Sequence, residues 1–278
     1  MEKISRNRSF NGEQYVYKHQ SIKCNCEMTF AIYIPDTSKR KASPLVWYLS
    51  GLTCTHANVM EKGEYRRYAS RFGLIVVAPD TSPRGKNIPD EVDNSQLGLG
   101  AGFYLDATEE PWLRNYQMYS YLTEELPSLI KEEFPVDMSR QSIMGHSMGG
   151  HGALIIALRN PNHYKSVSAF SPVVAPMKSD CYVRTLKHYL GEDRQKWKNY
   201  DATTLVKSGA TCPEILIDQG SADEFLDSKL KPFQFEEACK VKNIKLTLRI
   251  QEGYDHSYFF VSTFMKDHIK WHGKRLNA

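Results

Sequence analysis

An α/β architecture, with a mostly parallel central sheet and helices on both faces, is the fold class this sequence predicts. Three observations carry it. Strand-like and helix-like segments alternate along the 278 residues, the order that parallel crossovers require. Strand-sized runs such as Leu45-Val46-Trp47-Tyr48-Leu49-Ser50 contain no charge, as strands covered on both faces do. Finally, the short strand Ser142-Ile143-Met144 runs through a glycine-flanked turn into the apolar segment 153–158, which has the length and composition of a buried helix.

In chain order, Gln14 to His19 and Glu27 to Pro35 alternate apolar and polar residues and read as two antiparallel strands. Turn-forming residues fill 36 to 44 before the charge-free strand from Leu45. A helix follows over 60 to 72, closed by Gly73, then a second charge-free strand, Leu74 to Ala78, stopped by Pro79. Residues 81 to 112 are rich in Gly, Pro, Asn and Asp without a period; so long a loop inside a compact domain is usually functional. Tyr119, Leu122, Leu126, Leu129 and Ile130 stand at helical spacing within 113 to 134, and Pro127 predicts a kink there. Next come a strand over Gln141 to Gly145, a helix over Met148 to Leu158 and a strand over Ser166 to Phe170. Residues 172 to 210 are helical in patches and form an excursion over the sheet. The chain closes with a strand (Glu214 to Asp218), a helix (232 to 241), a strand (Leu246 to Ile250) and a last helix (257 to 271). No linker composition interrupts this order, so residues 1–278 are expected to form a single domain.

Composition narrows the function. The 36 basic and 32 acidic residues leave a net charge of +4, and only Lys39-Arg40-Lys41 approaches a basic cluster, so no nucleic-acid partner is expected. No segment reaches the roughly 18 apolar residues of a membrane span. The first residues carry charges with no apolar run behind them, which is not the pattern of a secretory signal. Six cysteines, at 24, 26, 54, 181, 212 and 239, show no framework spacing, so free thiols in a reducing cytoplasm are the expectation. Cys24-x-Cys26 has no matching second pair, and no metal site is expected.

The chemistry concentrates at Gly145-His146-Ser147-Met148-Gly149. Strand before and helix after make this the strained elbow of the α/β-hydrolase fold, which lifts a serine above the sheet. A serine needs a base to become nucleophilic, and the base needs an orienting acid. Of nine histidines, His146 and His151 flank the serine but should aim away from it. His268 and His272 fall in the last helix and are expected at its surface. His256, in Glu252-Gly253-Tyr254-Asp255-His256-Ser257, lies between a strand and that helix, where this fold carries its base. Asp223 in the preceding loop is the first choice of acid, with Asp218 at the strand end second and Asp227 third; Asp255 should bond local backbone. The backbone N–H groups of Met148 and of Leu52, in the loop 50–56, are the candidate oxyanion donors.

These residues sit in longer segments, including WYLSGLTCT (47–55), APDTSPRG (78–85), GAGFYLDATEEPW (100–112), GHSMGGHGAL (145–154), ILIDQGSAD (215–223) and QEGYDHSY (251–258). Through them the chain resembles the S-formylglutathione hydrolase (esterase D) family from about Phe10 to its end. The resemblance implies hydrolysis of S-formylglutathione to formate and glutathione, with Ser147 as nucleophile, Asp223 as acid and His256 as base. It further implies no metal or cofactor and a homodimer or higher oligomer, and it makes Cys54 either a site of inhibition by thiol reagents or oxidation or a quiet buried thiol. Relatives can carry a second acidic residue where this chain has Ala222. Phe103, Tyr104, Trp112 and Tyr116 either shape the acyl pocket, Trp112 foremost, or belong to the core. A broader short-chain carboxylesterase using the same residues is the alternative.

Overall fold

Residues 1–278 are described by a computed structural model. The strands are β1 (Glu2–Arg8), β2 (Gly12–Ser21), β3 (Cys26–Pro35), β4 (Ser43–Leu49), β5 (Ile75–Pro79), β6 (Val136–His146), β7 (Val167–Phe170), β8 (Ile215–Gly220) and β9 (Leu246–Gln251). The helices are α1 (His56–Lys62), α2 (Arg66–Phe72), α3 (Met118–Ser120), α4 (Leu126–Glu133), α5 (Met148–Arg159), α6 (Asp180–Leu190), α7 (Arg194–Trp197), α8 (Ala202–Lys207), α9 (Pro232–Val241) and α10 (Tyr258–Leu276). All nine strands join one sheet in the order β1-β2-β3-β5-β4-β6-β7-β8-β9. The pairings from β5 through β4 to β9 are parallel, whereas β1, β2, β3 and β5 pair antiparallel.

The two-residue side-chain period of a strand divides the core between the two faces. On β4, Leu45, Trp47 and Leu49 enter one apolar cluster while Val46 and Tyr48 enter the other; β5 divides Ile75 and Val77 from Val76 and Ala78 in the same way. The larger cluster takes the apolar side of α5 and of the 172–210 excursion, the smaller one α2 and α10. Both faces being covered, a charge in β4 or β5 would be buried without a partner, which is why those runs contain none.

Several expectations are corrected. The helix foreseen over 60 to 72 is two helices. The first starts at residue 56, where Thr55 accepts from Ala57 N–H and Asn58 accepts from Thr55 N–H, a reciprocal cap. The break follows at Glu64, whose φ of 53° lies in the left-handed region. The single helix foreseen over 113 to 134 is interrupted by the irregular residues 115–117 and by a π-helical turn, Tyr121–Glu125, just before Pro127. Proline offers no N–H and clashes with the carbonyl of an ideal preceding turn; the widened turn absorbs that clash. β6 begins five residues earlier than foreseen, and α10 runs five residues further. β1 was not foreseen, because it is exposed on almost every residue and has no apolar period. Backbone pairing with β2, helped by the Arg6–Glu13 and Lys18–Glu2 contacts, holds it in place.

Candidate active site

Four loops at the carboxyl ends of β4, β6, β8 and β9 meet above the sheet, the position where open parallel sheets place their sites. Leu49 of β4 is in register with Gly145 of β6, so the 50–56 loop starts beside the elbow. Ser147 occupies the turn itself, with φ 57° and ψ −117°, a strained conformation for a residue with a side chain. Its N–H donates to Phe170 O (2.9 Å) and its O accepts from His151 N–H (3.0 Å), which pins the strained backbone. The flanking glycines are needed for close approach. A Cβ on Gly145 would run into Gly149 O, and one on Gly149 into Leu49 O.

His256 follows β9 and bridges the other two candidates. Its Nε2 lies 2.9 Å from Ser147 Oγ and its Nδ1 2.6 Å from Asp223 Oδ2. Asp223 also accepts from Gln219 Nε2 (3.1 Å) and Phe225 N–H (2.9 Å). Burial alone would raise its pKa, but the hydrogen bonds from His256 and the Phe225 N–H outweigh it and hold the carboxyl below its usual range. An ionised Asp223 puts the imidazole proton on Nδ1 and leaves Nε2 free to accept from the serine hydroxyl. The imidazole is wedged between His146, with ring centroids 4.7 Å apart, and Phe225, edge-on at 5.1 Å. His146, foreseen to aim away from the serine oxygen, makes no hydrogen bond with it. It packs on the base without bonding the serine, and burial, reinforced by His256, pushes its pKa down to about 3, so it stays neutral.

The loop after β4 abuts the nucleophile: a Cβ on Gly51 would stand 3.3 Å from Ser147 Cβ. Leu52 N–H makes no backbone hydrogen bond, while its neighbours Thr53 and Cys54 donate to Gly100 O (2.9 Å) and Gly51 O (3.2 Å). Met148 N–H opens α5 and has no acceptor inside the helix. Tyr104 supports this loop from below by donating its hydroxyl to Ser50 O (2.7 Å). A cavity of about 200 Å³ fronts these groups, lined by Leu52, Cys54, His146, Ser147 and His256, and also by Gln96, Tyr182, Phe225, Lys229 and Leu230. The last five escape sequence reading, since they come from the aperiodic 81–112 loop, the excursion and the turn after Asp223. Only the closeness of Phe225 to Asp223 offered a signal.

Trp112 does not line this cavity, correcting the expectation that it shapes an acyl pocket. Its indole packs edge-on against Tyr116 and Tyr189 in the core, at 5.1 and 5.2 Å. Phe103 lies against His151 and Tyr182, one layer behind the cavity wall. Cys54 is on the wall, but burial raises its thiol pKa, so it is not an activated thiolate.

Asp218, the second choice of acid, is fully buried beneath the site and engaged elsewhere. It accepts from Arg249 Nε and Nη2 (2.6 Å each) and from His268 Nε2 (3.1 Å). Hence His268 and His272 are interior residues rather than surface ones. Oxygen-to-nitrogen distances of 2.8 Å continue the chain from His268 Nδ1 through Ser168 and His272 to Ser166, whose hydroxyl lies 2.7 Å from that of Ser142. One proton arrangement satisfies every link. Starting from the Asp218 carboxylate, each group accepts from the next, which fixes both histidines as neutral Nε2–H tautomers. Asp227 offers only its backbone oxygen, to Lys231 Nζ (2.9 Å), and Asp255 bonds Ser257 N–H (3.0 Å) locally as expected.

Comparison with known proteins matches residues 21–271 to the Esterase family model. The chain is 54% identical to an S-formylglutathione hydrolase of Mus musculus, covering 100% of this chain and 99% of the relative. It is 50% identical to one of Paracoccus denitrificans, covering 99% and 98%. Among solved structures it is similar to an S-formylglutathione hydrolase from Agrobacterium tumefaciens, at 62% identity and a TM-score of 0.98, covering 99% of this chain and 100% of the other.

Proposed function

Since the chain belongs to the esterase family, among its S-formylglutathione hydrolases, we propose that it hydrolyses S-formylglutathione to formate and glutathione through Ser147, His256 and Asp223. The observation that carries this reading is the His256 imidazole, within hydrogen-bond reach of Ser147 on one nitrogen and of Asp223 on the other. As Ser147 Oγ attacks the formyl carbon, His256 Nε2 takes its proton, and Asp223 stabilises the resulting imidazolium without being protonated. The tetrahedral oxyanion is met by the N–H groups of Leu52 and Met148, each such donor being typically worth about 3 kcal/mol in the transition state. Collapse breaks the C–S bond, and the proton on His256 passes to the departing sulfur. A formyl-serine remains. His256 then takes a proton from water, hydroxide adds to the formyl carbon, and formate leaves as the proton returns to Ser147.

Thioester turnover by Ser147→Ala tests the assignment. The variant should keep its fold by circular dichroism and lose turnover by a factor of at least about 10⁴; activity within tenfold of wild type would contradict the triad. We further place the protein in the cytoplasm, where its six unpaired cysteines stay reduced, and expect a homodimer or higher oligomer, which light scattering measures.

A further inference from the structure

We propose that Lys229 selects for an anionic acyl carrier by receiving a carboxylate of the substrate's thiol half on the wall of the Ser147 cavity. The proposal rests on the substrate reading above and names a group that sets its specificity. Lys229 is the only lysine, and there is no arginine or carboxylate, among the side chains lining the cavity of about 200 Å³. It is half-buried, and its ammonium meets no carboxylate and no hydrogen-bond acceptor. Lys231, by contrast, donates to Asp227 O (2.9 Å), and Lys245 pairs with Glu214 (3.1 Å). The Lys229 ammonium stands 4.2 Å from the centroid of the Phe225 ring, whose edge abuts His256. An aromatic face attracts a cation without neutralising it.

The cavity therefore carries an uncompensated positive charge close to the reacting serine. A concave surface of one sign concentrates its field on ligands of the opposite sign. Glutathione supplies two carboxylates, and that of its terminal glycine has no ammonium on the same carbon. A one-carbon formyl group offers little surface to recognise, so discrimination between formyl thioesters must come from the carrier. A single ammonium–carboxylate contact on the thiol half provides it and leaves the chemistry at Ser147 the same for every carrier.

The experiment compares kcat/KM for S-formylglutathione with that for the S-formyl thioester of N-acetylcysteamine, which has the same acyl group on an uncharged thiol. Wild type, Lys229→Met and Lys229→Arg are measured at low and high salt. In Lys229→Met the ratio of the two values should fall about tenfold, the equivalent of about 1.4 kcal/mol, and the fall should lie in KM. Lys229→Arg should restore most of the ratio, and added salt should erode the wild-type ratio but not that of Lys229→Met. A ratio in Lys229→Met within twofold of wild type overturns the proposal. So does a parallel loss on both substrates, which would assign Lys229 to holding Phe225 and His256. Wild-type protein inert towards both formyl thioesters would instead overturn the substrate reading itself.

Discussion

Asp218 and Asp223 are separated by five positions, yet their surroundings commit them to different work. Asp218 is closed under the sheet by Arg249 and His268; although burial alone would raise its pKa, those partners bring it down to about 2. Asp223 faces the imidazole that reaches Ser147. Asp223→Asn should cut kcat by about 10⁴ with little loss of stability, because the amide favours the wrong imidazole tautomer. Asp218→Asn should unfold about 1–3 kcal/mol more easily in urea, since Arg249 loses its buried carboxylate partner but keeps Asp267, while the fraction still folded keeps its kcat. The opposite pattern would exchange their roles. Cys54 allows a second test at this scale. With its thiol pKa raised by burial, inactivation by iodoacetamide should be slow at pH 7, accelerate as pH rises towards 9 and beyond, and vanish in Cys54→Ser. The three side chains in mutual contact were legible because motif, chain order and loop position each select them. Trp112 was misplaced because an aromatic in a long loop reads the same whether it faces a cavity or, as here, Tyr116 and Tyr189.

At the scale of elements, the β6–α5 elbow depends on how closely three backbones approach. Gly149→Ala should destabilise the protein by about 3 kcal/mol or more, the upper range for forcing atoms into a packed interior, because the added methyl meets Leu49 O rather than a side chain that can move; urea unfolding measures it. Elements with one strong local cause were legible: α9 runs over the residues foreseen, and Gly73 closes α2 with φ 64°. The failures share a cause as well. β1 exists through pairing with β2 and not through burial, so no apolar alternation announces it. The breaks at Glu64 and in the turn before Pro127 depend on the preceding backbone, which a window of apolar spacing does not register.

Across the whole molecule, buried histidines make the fold acid-sensitive. Burial pushes His151 down to about 4 and His146 down to about 3, while His268 and His272 are lowered by the same cause. An unfolded chain binds protons at these sites from about pH 6.5 downward, whereas the native state refuses them until the lowered values are reached. Stability is therefore full above about pH 6.5 and falls as the pH drops towards 4. Asp218 adds to the loss further down, between its unfolded value near 4 and its native value of about 2. The urea midpoint should decline steadily from pH 7 to pH 4, and His151→Phe should flatten that slope; a midpoint independent of pH would mean these histidines are protonated in the native state. The Ser147–His256–Asp223 contact fronts a cavity of about 200 Å³ that also carries Lys229. Preference for the formyl group at this site is tested most directly by kcat/KM for S-formylglutathione beside S-acetylglutathione and a neutral short-chain aryl ester. One added methyl should lower the value roughly 10- to 200-fold where it crowds the acyl site, with the aryl ester lower still. Equal values for all three would contradict a formyl-specific site and leave a general small-acyl esterase.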